Sequence, residues 1–174
     1  HHTPYAIACQ DLVQHAQNLA HFDFWPLLKV IVGGVCFGPA SYFFTELPHG
    51  ITSWSTRLIH RKWLIPFIGG CLIILLTFML GTDSYLGLGV TNPNPQSVSI
   101  LTSFHAGGAS YLSWFWKLLF TAITLSMGFK GGEVTPLFFI GAALGNAVGM
   151  LTGAPVDLMA GLGFVAVFAG ATNT

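Results

Sequence analysis

The chain has 174 residues, of which 53% are hydrophobic and only 7% charged, with a mean hydropathy of +0.69. Soluble domains carry roughly 25% charged residues, so the composition is that of a membrane protein. Six basic residues balance six acidic ones, which argues against nucleic acid, whose binding needs a basic face. Cys9, Cys36 and Cys71 are far apart and give neither a zinc spacing nor a disulfide framework. No metal and no cofactor are expected. The chain starts without a methionine and stops just after a hydrophobic run. It reads as a fragment of a longer protein, with no signal peptide and with His1 and His2 compatible with a tag.

Residues 1–24 mix His, Gln, Asp and Asn with short apolar pieces and predict an extramembrane connection with some helix. His1, His2, His15 and His21 share no ligand spacing with a carboxylate or cysteine and read as surface or tag residues. An apolar segment then runs over residues 25–44. Pro26 suits its first turn, and Lys29 is near enough to the end to reach the interface. Gly34 and Gly38 form a GxxxG pair of the kind that packs helices closely. Pro39 should kink this segment without ending it, because helical character continues through Ile51, Trp54 and Leu58.

Arg57, His60, Arg61 and Lys62 form the one basic cluster, which the positive-inside rule assigns to the cytoplasmic side. Residues 63–80 are an uncharged apolar run close to the ~20 residues needed to cross a bilayer. Residues 82–96 are rich in Gly, Asn and Pro and are expected outside. Residues 97–108 are too short to span and predict a short re-entrant or interfacial helix. The next long run, 111–127, carries Trp114, Trp116 and Lys117 near its start, which read as an interfacial anchor.

Between that run and the next, 137–151, stands Gly128-Phe129-Lys130-Gly131-Gly132-Glu133-Val134-Thr135-Pro136. Pro136 lacks an N–H and is preset for a first helical turn. Gly128, Gly131 and Gly132 let the backbone before it turn sharply and approach a ligand. The second helix therefore starts abruptly, with free N–H groups and a positive dipole end. Beside protein in a bilayer, such an end suits an anion. Gly141, Gly145 and Gly149 then recur on one helix face and read as a packing surface. Residues 152–155 form a turn expected outside. A last segment covers 158–169, with Asp157 as its cap or in its first turn. The total is about five long segments and one short one.

Glu133 is the charge hardest to assign to an interface. Burial between apolar segments favours its protonated form and makes a proton an exchangeable partner. The helix dipole favours its charged form, as in a simple capping carboxylate. Thr135 either gives its hydroxyl to an anion or caps the helix. Lys130 either attracts anions to the inner mouth or is a solvated interfacial lysine.

At these residues the chain resembles the second half of the CLC family of chloride channels and anion/proton antiporters. That family has a glycine-rich break of the form GxFxP that starts a helix facing the central anion site. GGEVTP occupies that place here, LFFIGAALGNAVG follows, and VFAGATNT resembles a later helix end that precedes another break. The resemblance covers residues 25–174, read as a partial transmembrane domain holding most of the second inverted repeat, with 1–24 as a connection. Val134 stands where chloride transporters usually have phenylalanine, and GGEVTP is similar to the fluoride/proton antiporter branch.

The resemblance implies an all-α fold of two inverted repeats, a homodimer in a cell membrane such as the bacterial inner membrane, fluoride or chloride and protons as partners, and no enzymatic activity. It implies anion contacts from Val134 and Thr135 and proton coupling at Glu133. Within it, fluoride/proton antiport competes with chloride transport or passive conduction. Outside it stand a cation-coupled carboxylate transporter using a broken helix and an intramembrane hydrolase. The sequence holds neither HExxH nor GxSxG.

Overall fold

The first helix, α1 (Phe24–Leu58), runs 35 residues through two internal prolines, Pro39 and Pro48. Each proline removes a backbone donor, yet the helix continues. Hydroxyls along this stretch turn back onto backbone carbonyls: Ser41 to Gly38, Thr45 to Ser41 and Tyr42, and Thr52 to Pro48. At about 1.5 Å per residue α1 is roughly 50 Å long, well beyond a hydrocarbon core of ~30 Å. A helix of that length must tilt or leave the bilayer at one end.

The computed structural model describes residues 24–90 and 97–172. The expected connection over 1–24 lies, but for its last residue, outside the described residues, and so do His1, His2, His15, His21 and Cys9. Among the described residues the fold is all helix: α1, α2 (Leu64–Leu80), a 3-10 turn (Thr102–Phe104), α3 (Ser113–Ser126), α4 (Val134–Thr152) and α5 (Val156–Thr172). By length and composition, α1 from Pro26 and α4 can cross a membrane, while α2 and α5 are shorter apolar helices.

The core forms where α4 is sandwiched. On one side Phe37 of α1 and Met159 and Val167 of α5 pack with Ile140 and Leu144. On the other, Tyr85, Ile100 and Phe120 pack with Phe139, Ala142 and Ala143. Gly141 and Gly145 make the α4–α5 approach possible. A β-carbon on Gly141 would overlap the Gly163 carbonyl, and one on Gly145 would stand 2.6 Å from the Ala160 α-carbon. Phe138 stacks on Phe164 in the same seam, with ring centroids 4.1 Å apart and planes nearly parallel at 5°. By contrast, Phe78 and Met79 at the end of α2 are 82% and 77% exposed, an apolar surface suited to lipid or to further protein.

Three expectations change. The short helix expected within 97–108 is a single 3-10 turn, Thr102–Phe104, flanked by loops. Ser99 and Thr102 bond reciprocally to each other's backbone N–H, at 2.8 and 3.2 Å, as in a capping box that opens a helical turn, and the turn ends at His105, where the backbone becomes extended (φ −107°, ψ 146°). Among the described residues nothing stands within 4 Å of a β-carbon at Gly34 or Gly38, and it is Gly33 that packs within this chain, with a β-carbon there 2.9 Å from the Met159 methyl. Lys117 is buried, with only 1% of its surface exposed, and is no interfacial anchor.

Contacts fix which ends share a side. Lys29 donates to the Gly153 carbonyl at 2.8 Å, so the start of α1 meets the end of α4. Thr52 donates to the Ser126 carbonyl at 3.3 Å, so the far part of α1 meets the end of α3. Asn146, twelve residues along α4, donates to the Ser103 and His105 carbonyls. In the full-length protein on a cysteine-free background, cysteines at Thr56 and Ala106 should therefore react with an impermeant reagent from opposite faces of the membrane. Both positions are exposed. Labelling from one face would overturn the helix count.

Candidate functional site

The break between α3 and α4 begins as a terminated helix. Gly128 takes φ +86°, a left-handed conformation that glycine adopts without strain. Its N–H bonds to Leu125 O at 3.3 Å, and the Phe129 N–H bonds to Thr124 O at 3.2 Å. This pair of bonds is the Schellman arrangement that closes a helix C-terminus. The sharp turn therefore falls at Gly128. Gly131 and Gly132 keep negative φ, and a β-carbon at either would meet nothing within 4 Å. Residues 128–134 are exposed.

α4 then starts with Glu133 as its N-cap residue, and the Glu133 side chain makes no capping bond. The first backbone bond into the helix is Leu137 N–H to Glu133 O, at 3.4 Å. Pro136 has no N–H to satisfy. Among the described residues no acceptor meets the N–H groups of Val134 and Thr135, which are left at the positive end of a 19-residue helix. Thr135 lies inside the first turn and its hydroxyl has no partner among the described residues, so it is not a helix cap here.

Val134 is 47% exposed and Thr135 half-buried. Glu133 is exposed and makes no ion pair among the described residues. Within this chain Glu133 therefore lacks the burial assumed for it from the sequence. Lys130 is exposed as well. The structure thus brings Glu133, Val134, Thr135 and Pro136 together at one helix start and sets Gly131 and Gly132 beside it. The arrangement can accept a small anion on two amides and a hydroxyl, next to a carboxylate able to carry a proton.

Lys117 is the polar residue whose placement sequence reading missed. Its ammonium donates to the carbonyls of Tyr85 at 3.1 Å and Gly87 at 2.7 Å, and lies 5.1 Å from the centroid of the Phe139 ring. The signal was present in the helical period: Ser113, Lys117 and Thr121 fall four residues apart on one face, and all three are buried. A second buried polar group, Asn146, ties α4 to the loop around the 3-10 turn through its amide nitrogen.

Comparison with known proteins gives three findings. The family model for the voltage gated chloride channel matches residues 4–174. A chloride/fluoride channel protein of Pseudomonas syringae pv. tomato (strain ATCC BAA-871 / DC3000) is 43% identical over 156 residues, covering 86% of this chain and 33% of the relative. The crystal structure of a CLC-type fluoride/proton antiporter superposes with a TM-score of 0.74 at 34% identity, over 86% of this chain and 36% of that one. The chain spans about a third of the length of each of these two relatives.

Proposed function

The chain belongs to the voltage-gated chloride channel family, and from that membership we propose that it is part of a membrane anion transporter whose activity is fluoride/proton antiport. The observation that carries this reading is the pair of open amides, Val134 and Thr135, at the start of α4. Fluoride is small and strongly hydrated, so donors must replace its water when it enters a protein. Two N–H groups and the Thr135 hydroxyl are such donors. Glu133, one residue before them, carries the proton. In the whole protein, segments outside this chain complete the site and desolvate Glu133. The assembly is a multi-pass homodimer in a bacterial inner membrane, with residues 25–174 forming most of the second inverted repeat.

Thr135→Val in the full-length protein tests the reading. It keeps shape and both amides and removes one donor. Loss of a buried hydrogen bond costs about 1–3 kcal/mol, so fluoride affinity by titration calorimetry should fall roughly five- to 150-fold. Unchanged affinity would leave Thr135 as a packing residue. The second reading, chloride transport or passive conduction, draws support from the chloride/fluoride name of the Pseudomonas relative. Proton flux driven by a fluoride gradient, set beside that driven by chloride, separates the two.

A further inference from the structure

We propose that the buried ammonium of Lys117 is a fixed counter-charge for the transported anion, strengthening its binding at the start of α4 without touching it. The inference rests on the anion site proposed above and adds a residue from another helix to it.

Lys117 is 1% exposed. Its three neighbours, the carbonyls of Tyr85 and Gly87 and the Phe139 ring, solvate the ammonium with dipoles and a quadrupole. None of them carries a net charge. No carboxylate pairs with Lys117 among the described residues, and the two acids nearest in sequence, Asp83 and Glu133, are both exposed. A buried charge left unbalanced is costly, and in a medium of low permittivity its field reaches far.

Among the described residues Lys117 is closed off from solvent. Gly89, at φ +72°, lies over it so closely that a β-carbon there would stand 3.3 Å from the Lys117 nitrogen and 2.7 Å from Phe139 Cδ2. With no opposite charge at contact among the described residues, the balance is left to a charge at a distance. Phe139, which the ammonium faces, lies five residues beyond Val134, about 7.5 Å of helix rise. The open amides and the positive dipole end stand there. The two fields have the same sign and add, and an anion at Val134 and Thr135 answers both.

The test uses the full-length protein, with fluoride and chloride salts as probes and equilibrium binding as the readout. A unit charge on the order of 10 Å from an anion, at an effective permittivity near 20, is worth on the order of tenfold in affinity. Lys117→Met should weaken both halides by that factor, and by the same factor, because a distant charge does not sense ionic radius. Lys117→Arg should keep both affinities. Thr121→Glu places a carboxylate one turn along the same helix face and neutralises the charge with the lysine still in place. It should reproduce the loss, and it decides alone if the Met variant does not assemble.

Unchanged halide affinity in Lys117→Met or Thr121→Glu would overturn the proposal. So would an equal loss in Lys117→Arg, or a change confined to one halide, since either would point to shape rather than charge. Failure of the anion site itself reads differently: the wild-type protein would bind neither halide, or Thr135→Val would leave fluoride binding intact.

Discussion

Glu133→Gln in the full-length protein is expected to bind fluoride and to lose proton transport coupled to it, by at least about a hundredfold. The substitution keeps the size of the side chain and its place before α4, and removes only the group that can take up and release a proton. Glu133 makes no capping bond and no ion pair among the described residues, so no structural contact seen here is lost with the charge. Thermal stability should stay close to that of wild type, because the neutral amide is isosteric and no described contact depends on the charge. Fluoride-driven proton uptake into vesicles measures the first quantity and calorimetry on the same preparation the second. Wild-type coupling in the Gln variant would remove Glu133 from the mechanism.

The second large effect belongs to the seam between α4 and α5. Gly145→Ala puts a methyl group 2.6 Å from the Ala160 α-carbon and against the Met159 carbonyl. Overpacking against side chains costs about 1–3 kcal/mol, but here the obstacle is backbone, which cannot rotate aside. The helices must separate, and a loss above about 4 kcal/mol is expected. Gly149→Ala, where the nearest atom is the Val156 α-carbon at 3.1 Å, should cost about 1 kcal/mol. Thermal denaturation of the purified protein compares them, and equal effects would contradict the seam as described.

Much of this architecture was legible because membrane helices announce themselves by length. The apolar run 63–80 became α2 almost residue for residue, and the break before Pro136 was visible because no polar loop fits between two apolar runs. The glycine face of α4 was legible for the same geometric reason, since small residues four apart leave one kind of gap. The start of α4 was legible, with Glu133, Val134 and Thr135 as neighbours there, but not the exposure of Glu133, which depends on what packs over it.

Other features were set by tertiary contact. Gly33, Gly34 and Gly38 are indistinguishable by spacing alone, and only the position of Met159 makes Gly33 the packed one. The helical turn opened by Ser99 and Thr102 stops at His105, where the backbone becomes extended, a limit that an apolar count does not register. Lys117 was assigned to the interface because it sits among tryptophans. Its real neighbours come from residues 85–89, some thirty positions earlier, and from α4.

The seam between α4 and α5 also bears on mechanics. Backbone touches backbone at Gly141 and Gly163, and the Phe138–Phe164 stack closes the same face. There is no slack along which one helix could slide. Any motion that displaces the start of α4 must therefore carry α5 with it, as a single stiff hairpin joined by the short turn after Thr152. The compliance has to lie at the other end, in residues 128–133, where Gly131 and Gly132 have empty space around them. The chain thus couples a rigid lever to a soft hinge, with the candidate site at the boundary between them.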